Sequence, residues 1–209
     1  MLDLIYDQLL ISITERIDND DKSRYFIALS GPPASGKSTI SQKLANDLSA
    51  KEYNSSILQM DGFHYDDLIL KEKKLLLKKG APETFDVMGL INFLSRLYKE
   101  EEVAIPIFDR SLELSRSSAA IISKNTKVII LEGNYILLNN YPWKELHKFF
   151  NSTVIINCEE KVLEKRLIER WEKFNLPKEE IKEKVYKNDL PNGVNVLKNS
   201  IKADYILEN

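Results

Sequence analysis

The chain alternates short apolar runs with longer stretches in which apolar residues recur at helical spacing. Residues 2–17 place apolar side chains three and four positions apart, which predicts an opening amphipathic helix. Further helical stretches end near residue 49 and lie at 66–79 (with a loop), 87–98, 143–150, 159–174 and 177–187. The apolar runs predict strands at 24–30, 55–60, 102–108, 127–132, 152–158 and 204–207.

Strands that alternate with helices predict an α/β fold with a parallel sheet. In such sheets, ligands bind beyond the carboxyl ends of the strands, which share one edge. Three of the predicted strands end in a glycine-rich or acidic segment: a glycine loop at 31–36, Asp61 and Glu132. We therefore expect these three segments to converge on one site.

Composition narrows the class of protein. The chain has 209 residues, which suits a single domain with its own core, and its 43% hydrophobic and 30% charged residues are typical of globular proteins. A net charge of −2 gives no sign of a general nucleic-acid or membrane binder. Cys158 is the only cysteine, no apolar run reaches transmembrane length, and the acidic first residues do not resemble a signal peptide. These features predict a cytoplasmic protein.

Residues 31–38 read Gly-Pro-Pro-Ala-Ser-Gly-Lys-Ser, the G-x-x-x-x-G-K-[ST] pattern of phosphate-binding loops, between a predicted strand and a predicted helix. Backbone N–H groups of such a loop and the helix N-terminus after it attract phosphate oxygens, and its glycines let the backbone approach them. Lys37 supplies a mobile charge for the β- and γ-phosphates, and the Ser38 hydroxyl can ligate Mg²⁺. The alternative is a glycine-rich turn with an incidental lysine. The predicted nucleotide-binding residues of the loop are Gly31, Pro32, Pro33, Ala34, Ser35, Gly36, Lys37, Ser38 and Thr39.

Two carboxylates at strand ends indicate the chemistry. Asp61 can accept the proton of a substrate hydroxyl as that hydroxyl attacks the γ-phosphate, or it can simply cap the next segment. Glu132 can hold Mg²⁺ through water, or it can face solvent at the strand end. His64, three residues after Asp61, can hydrogen-bond to the substrate or stack on it, or it can be a structural loop histidine.

Several segments, taken in order, resemble one group of enzymes. They are GPPASGKS (31–38), MDGFH (60–64), KGAPETFDV (79–87), PIFDR (106–110), LEGNYILL (131–138) and NDLPNG (188–193). Together they resemble the uridine kinase, pantothenate kinase and phosphoribulokinase group of P-loop kinases, and most of all its subfamily labelled uridine kinase-like, fructokinase-like or nucleoside kinase-like. The resemblance covers about residues 24–207. It implies a P-loop NTPase three-layer sandwich with a mainly parallel five-stranded sheet, as a single domain (1–209) with a helical lid at about 166–190.

The resemblance also implies roles for residues in the acceptor region. It implies that Asp86 contacts substrate hydroxyls and that Phe108 and Arg110 contact the substrate. Asp86 can instead cap the helix that follows it, which needs only a side-chain oxygen. Arg110 can instead form a surface pair with a neighbouring acid, Asp109 or Glu113.

Arg166 and Arg170 lie four residues apart and so share one face of a predicted helix. The resemblance aligns this segment with a lid that closes over the nucleotide and brings arginine charge to the transferring phosphoryl group. The alternative is a solvated charged helix, because charge is dense throughout 159–187. The catalytic residues implied are Asp61, Lys37 and Arg170, and the implied Mg²⁺ ligands are Ser38 and Glu132.

These features together predict ATP- and Mg²⁺-dependent transfer of a phosphoryl group to a hydroxyl of a small metabolite: a nucleoside, a pantothenate-like alcohol or a sugar. The segment PIFDRSLELS differs from the segment that recognises the base in true uridine kinases, which argues against a nucleoside. We expect no nucleic-acid or membrane partner, and a homodimer is compatible with the sequence. Two rivals are an ATPase or GTPase switch, although the sequence has no guanine-reading N-K-x-D element, and a non-catalytic nucleotide-binding module.

Overall fold

The structure is a computed structural model that describes residues 2–21 and 23–209, with side chains described from Leu4 onward. Its helices are α1 (Leu2–Asp18), α2 (Lys37–Ala50), α3 (Asp67–Glu72), α4 (Val87–Lys99), α5 (Glu160–Lys173), α6 (Lys178–Lys184) and α7 (Leu190–Asn199). Its strands are β1 (Tyr25–Ser30), β2 (Ser55–Gln59), β3 (Val103–Asp109), β4 (Leu114–Ile122), β5 (Val128–Gly133), β6 (Ser152–Asn157) and β7 (Tyr205–Glu208). Within these described ranges, no helix has the length and apolar character needed to span a bilayer.

Across the described residues, five parallel strands form one sheet in the order β2–β5–β1–β6–β7. Every residue of β1 and β5 is buried, which explains why these strands are apolar up to their carboxyl ends, where Ser30 and Glu132 lie. The register places Ser30 opposite Gly133 and Gln59 opposite Glu132, so the carboxyl ends of β1, β2 and β5 meet. The predicted α/β fold with a parallel five-stranded sheet is confirmed.

Helices cover both faces of this sheet. Alternate residues of β1 point to opposite sides, so this strand contributes to an apolar cluster on each face. On one side, Ile27 belongs to an apolar cluster with Ile13 of α1 and Leu44 of α2. On the other side, Phe26 belongs to a second cluster with Leu94 of α4. The result is the predicted three-layer sandwich.

A third and smaller apolar cluster lies apart from both faces of the sheet. It joins α5, α6 and the turn of π-helix that follows (Val185–Asp189) through Leu163, Ile181 and Val185, and Ala34 of the phosphate loop packs against it. Among the described residues it shares no member with the two clusters on the sheet. This cluster holds together most of the segment 166–190, for which a lid is predicted.

Three regions differ from the sequence prediction. The run 102–108 does not join the parallel sheet, because β3 pairs with β4 in a separate antiparallel hairpin. The apolar pattern does not predict β4, because residues 115–118 are polar and mostly exposed. The helix predicted at 177–187 continues through the π-helical turn into α7, which has Pro191 as its second residue.

Arg24 is a buried anchor between β1 and the end of α4. It is 5% exposed, and its guanidinium donates to the backbone oxygens of Leu97 (2.6 Å), Glu100 (2.8 Å), Glu101 (2.6 Å) and Ser123 (2.9 Å). Two of these oxygens lie at the C-terminal end of α4, so the cation also faces the negative end of the helix dipole.

We expect Arg24→Met to lower the free energy of unfolding by about 2 to 4 kcal/mol, because four carbonyl groups lose a charged donor. Urea denaturation followed by circular dichroism measures this loss. The matched control is Arg96→Met on the exposed face of α4, where Arg96 pairs with Glu100 one turn away. That exposed pair should contribute almost nothing, so equal losses in the two variants would contradict the anchoring role of Arg24.

Candidate active site

The phosphate loop leaves β1 at Ser30 and enters α2 at Lys37. Within it, Ala34 and Gly36 adopt positive φ angles of 61° and 90°. Left-handed residues of this kind bend the chain into the concave arrangement of backbone N–H groups that binds anions. The N-terminus of α2 adds its own unpaired N–H groups at the same place.

The far side of the loop is packed against the rest of the molecule. A Cβ atom at Gly31 would lie 2.9 Å from the carbonyl oxygen of Ile156 in β6, so only glycine fits where the loop passes the sheet. The side-chain amide of Asn209, after β7, donates to the carbonyl oxygen of Ser35 (2.7 Å). These contacts fix the side of the loop that faces β6 and Asn209.

Lys37 is buried and folds back over its own loop, where its ammonium donates to the carbonyl oxygen of Pro32 (2.7 Å). Burial lowers the pKa of Lys37 from its usual 10.5 to about 8, and the nearby carboxylates of Glu132 and Asp61 partly oppose that change. A bound phosphate would favour the protonated ammonium, so Lys37 is suited to hold one.

Ser38 and Glu132 face each other next to the loop. The hydroxyl oxygen of Ser38 lies 3.3 and 3.5 Å from the two carboxylate oxygens of Glu132, which is 6% exposed. Burial raises the pKa of Glu132, and the ammonium of Lys37 offsets part of that rise. A buried carboxylate in this position gains from a nearby cation.

The donor atoms of Ser38 and Glu132 fit the predicted Mg²⁺, which prefers oxygen ligands. The part of the chain that the structure describes contains no cluster of three or more His, Cys, Asp or Glu side chains that could hold a metal by itself. Mg²⁺ does not need one, because it binds through one or two protein oxygens and completes its shell with phosphates and water.

Asp61 lies in a short 3-10 helix directly after β2, at the same edge of the sheet as the phosphate loop. Its carboxylate forms an ion pair with Arg110, which comes from the turn between β3 and β4. The charge of Asp61 opposes the effect of burial on the pKa of Lys37 and adds to it for Glu132. The predicted base, phosphate lysine and metal carboxylate therefore lie within electrostatic range of one another.

An aromatic wall accompanies Asp61. The ring of His64 lies 3.9 Å from the ring of Phe85 and 5.2 Å from that of Phe108, centroid to centroid. Burial lowers the pKa of His64 to about 4, so the imidazole is neutral at pH 7. Its Nδ1 atom is buried without a hydrogen-bond partner in the described residues, which leaves it available to a ligand.

Asp86 is not among the residues that line this cleft. Its carboxylate accepts a hydrogen bond from the backbone N–H of Gly89 (2.9 Å) and so caps the start of α4. The structure places Asp86 in the alternative capping role, and it does not bring this side chain to the site with Asp61.

The two arginines of α5 have different surroundings. Arg170 lines the cleft, with its guanidinium 5.3 Å from the ring centroid of Trp171, and its charge adds to the effect of burial on the pKa of Lys37. Arg166 does not line the cleft and lies against the loop instead, 3.4 Å from the carbonyl oxygen of Ala34. Of the two, Arg170 is the one in a position to face a bound phosphate.

One cleft of about 720 Å³ at the carboxyl edge of the sheet contains most of the predicted site, a volume that suits a small ligand. The predicted residues that line it are Pro33, Ala34, Gly36, Lys37, Ser38, Thr39, Asp61, His64, Phe108, Arg110, Glu132 and Arg170. The predicted loop residues Gly31, Pro32 and Ser35 do not line it.

The cleft also includes residues for which the sequence predicted no role. They are Lys79, Gly80, Phe85, Glu113, Gly133, Asn134, Trp171, Phe174, Leu176, Lys184 and Asp189. Lys79, Asn134 and Asp189 lie in the motifs KGAPETFDV, LEGNYILL and NDLPNG, so the resemblance could have identified them as site residues. The apolar residues of the α5–α6 region could not be identified from the sequence, because local spacing does not distinguish a cleft wall from a core.

A second, more open depression of about 800 Å³ lies at the opposite edge of the sheet, where β1 begins. Its walls include Arg16, Asn19, Tyr25 and Asn151, and it contains none of the predicted site residues. The candidate active site is therefore the cleft at the carboxyl edge.

The chain is similar to kinases over most of its length. It is 31% identical over 215 residues to Putative uridine kinase C227.14 of Schizosaccharomyces pombe, which covers 97% of this chain and 90% of that protein. It is 27% identical over 151 residues to a pantothenate kinase of Enterococcus faecalis, which covers 70% of this chain and 49% of that protein. The chain thus spans about half the length of the pantothenate kinase.

A solved structure is similar over nearly the whole of both chains. It is described as a putative fructose transport system kinase from Silicibacter sp. TM1040, with a TM-score of 0.92, 35% identity, and coverage of 96% of this chain and 98% of that one. A family model described as chromatin associated protein KTI12 matches residues 26–78. That shorter match includes the phosphate loop and ends before the β3–β4 hairpin and α5.

Proposed function

Because the chain belongs to the uridine kinase, pantothenate kinase and phosphoribulokinase group of P-loop kinases, we propose that it transfers the γ-phosphate of ATP to a hydroxyl of a small metabolite. The observation that carries the proposal is the shared cleft, which is lined both by Lys37 of the phosphate loop and by Asp61 after β2, close enough for Asp61 to oppose the lowering of the pKa of Lys37. This arrangement supports a reaction in which a phosphate chain and an alcohol meet.

The phosphate chain would be held by the loop. Backbone N–H groups of residues 31–36 and the N-terminus of α2 donate to the phosphate oxygens, and Lys37 adds a positive charge. Arg170 faces the cleft from α5 and neutralises charge on the phosphoryl group as it moves. Ser38 and Glu132 would hold Mg²⁺, which when bound offsets the charge of the phosphate oxygens.

Asp61 would serve as the general base. The acceptor oxygen forms a bond to the γ-phosphorus, the bond from that phosphorus to the oxygen bridging to the β-phosphate breaks, and ADP leaves with that electron pair. The hydroxyl proton goes to the carboxylate of Asp61. His64 is neutral, and its buried Nδ1 atom has no hydrogen-bond partner among the residues that the structure describes, so it is suited to orient an acceptor hydroxyl.

A screen of ATP consumption with nucleosides, sugars, polyols and pantothenate analogues tests this proposal. We expect one class of acceptor to raise ADP formation roughly tenfold or more above the acceptor-free rate, because positioning of the hydroxyl supplies most of the catalysis. Mass spectrometry should detect a matching gain of one phosphate on that acceptor. Hydrolysis that proceeds equally fast with and without every acceptor would indicate an ATPase and overturn the kinase proposal.

A further inference from the structure

The predicted base already binds a cation through one of its two oxygens in the structure. One carboxylate oxygen of Asp61 accepts a hydrogen bond from the guanidinium of Arg110. The Arg110 guanidinium also lies 5.0 Å from the ring centroid of Phe108. The side chain of Asp61 is 24% exposed and that of Arg110 is 53% exposed, so the pair lies at the boundary between the cleft and solvent.

This ion pair matters for the reaction because the carboxylate oxygen that binds the guanidinium is less available to an acceptor hydroxyl, which leaves only the other oxygen of Asp61. Release of Arg110 would make both oxygens available to take the hydroxyl proton. A guanidinium that stays in the cleft after it leaves Asp61 loses a charge-assisted hydrogen bond to a carboxylate. Exchange of one anion for another keeps such a bond.

We propose that the acceptor carries an anionic group, a carboxylate or a phosphate ester, besides the hydroxyl that is phosphorylated. This group binds Arg110 in place of Asp61 and frees the second oxygen of the base. The inference rests on the proposed function and adds the chemical class of the acceptor. It also makes Arg110 the residue that determines specificity, because a neutral polyol or nucleoside brings nothing to exchange.

A second cation lies beside the same aromatic ring. The ammonium of Lys79 is 5.8 Å from the ring centroid of Phe108, and it donates to Asp67 (2.7 Å) and to the backbone oxygen of Glu113 (2.8 Å). An ammonium has three N–H groups, so one remains for a ligand. The carboxylate of Asp67 is bound to Lys79, and Glu113 is exposed at the rim, where water screens its charge. An anion beside Phe108 would therefore meet two donors.

The nucleotide is the other source of an anion, and the geometry favours the acceptor. The loop amides, Lys37 and Arg170 already surround the phosphate end of the cleft. Arg110 comes from the β3–β4 hairpin, and its neighbour Phe108 contacts the ring of His64, which we assign to the acceptor. Arg110 thus belongs to the acceptor end, and separate measurements of the two substrates distinguish these sources.

Matched pairs of acceptors test the proposal directly. The pairs are glycerate with glycerol, gluconate with sorbitol, ribose 5-phosphate with ribose, and pantothenate with panthenol, together with any acceptor found in the wider screen and its neutral analogue. In each pair that is turned over, we expect kcat/KM for the anionic member to exceed that for the neutral member by roughly 100-fold or more, because a site built around a charged partner rejects the analogue that lacks it.

Variants of the hairpin assign that preference to one residue. Arg110→Gln should lower the preference for the anionic member to roughly tenfold or less, through loss of activity on the anion alone. It should also raise acceptor-free ATP hydrolysis several-fold, because both oxygens of Asp61 become available to water. Arg110→Lys keeps the charge without the planar fork and should retain part of the preference. Arg116→Gln is the matched control, because Arg116 lies on the same hairpin and pairs with Asp109 (3.4 Å) outside the cleft. It should behave as the unaltered protein.

Different failures have different meanings. Equal or better turnover of neutral acceptors would overturn the anionic class while leaving the kinase proposal intact. An Arg110→Gln variant that raises KM for ATP and leaves the acceptor preference unchanged would assign Arg110 to the nucleotide and overturn the inference. If no acceptor of any charge is phosphorylated, the proposed function fails and the inference fails with it.

Discussion

Replacing Asp61 by asparagine is expected to lower kcat for phosphoryl transfer by roughly 10²- to 10⁴-fold, the usual contribution of a general base. Asparagine keeps the shape of the side chain and one acceptor oxygen but cannot take the hydroxyl proton. The dissociation constant for ATP should change little, because Asp61 lies after β2 while the phosphates are held by the loop after β1. Steady-state kinetics and equilibrium nucleotide binding measure the two effects separately.

The matched control for Asp61→Asn is Asp109→Asn. Asp109 ends β3, accepts a hydrogen bond from the Ser111 hydroxyl (2.6 Å) and does not line the cleft. Its replacement should leave turnover almost unchanged. A transfer rate in Asp61→Asn that matches this control would show that another group accepts the proton, and it would remove the main support for the assigned base.

Lys37→Met should lower kcat/KM by roughly 10²- to 10³-fold, the loss typical of removing one preorganised charge from a transition state. The same change should not destabilise the fold. The folded protein lowers the pKa of Lys37 from 10.5 to about 8, so below about pH 8 the buried ammonium costs stability, and this cost fades only as the pH rises towards 10.5. At pH 7, methionine removes a cost of about 1 to 3 kcal/mol and loses one hydrogen bond to Pro32.

Thermal or urea unfolding at pH 7 therefore complements the kinetic assay of Lys37→Met. Lys43→Met on the exposed face of α2, where Lys43 pairs with Asp47, is the control and should keep full activity. A large loss of stability in Lys37→Met would mean that the lysine holds the loop together. In that case its loss of activity could not be assigned to the phosphates.

The positions of Asp61 and Glu132 could be predicted from the sequence because each lies at the end of a predicted strand. Once β2 and β5 are recognised, parallel pairing alone brings their carboxyl ends to one edge of the sheet. The phosphate loop was predictable for a similar reason, since its pattern sits between a strand and a helix. These features depend on local sequence and on the general topology of α/β folds.

The partner of Arg110 could not be predicted in the same way. The sequence offers Asp109 and Glu113 as neighbours, but the fold pairs Arg110 with Asp61, 49 residues away, and leaves Asp109 to Arg116. That choice depends on how the β3–β4 hairpin docks beside β2, and β4 is a strand because it pairs with β3 rather than because it is apolar.

The segment 166–190 holds another contact that local patterns do not reveal. The indole N–H of Trp171 in α5 donates to the carboxylate of Asp189 (2.7 Å), at the end of the π-helical turn. Both residues line the cleft, so this hydrogen bond ties two sides of the predicted lid together. The lid itself stays a prediction.

The small apolar cluster beneath α5 and α6 has its own set of buried side chains, distinct from those of the two clusters that hold the sheet. Few buried side chains hold it, so we expect it to open at a much lower free energy than the strands. Local unfolding of this region would move Arg170 away from the cleft while β1 and β5 remain folded. The product nucleotide could then dissociate. Selection could thus tune how quickly product leaves without altering the melting temperature of the protein.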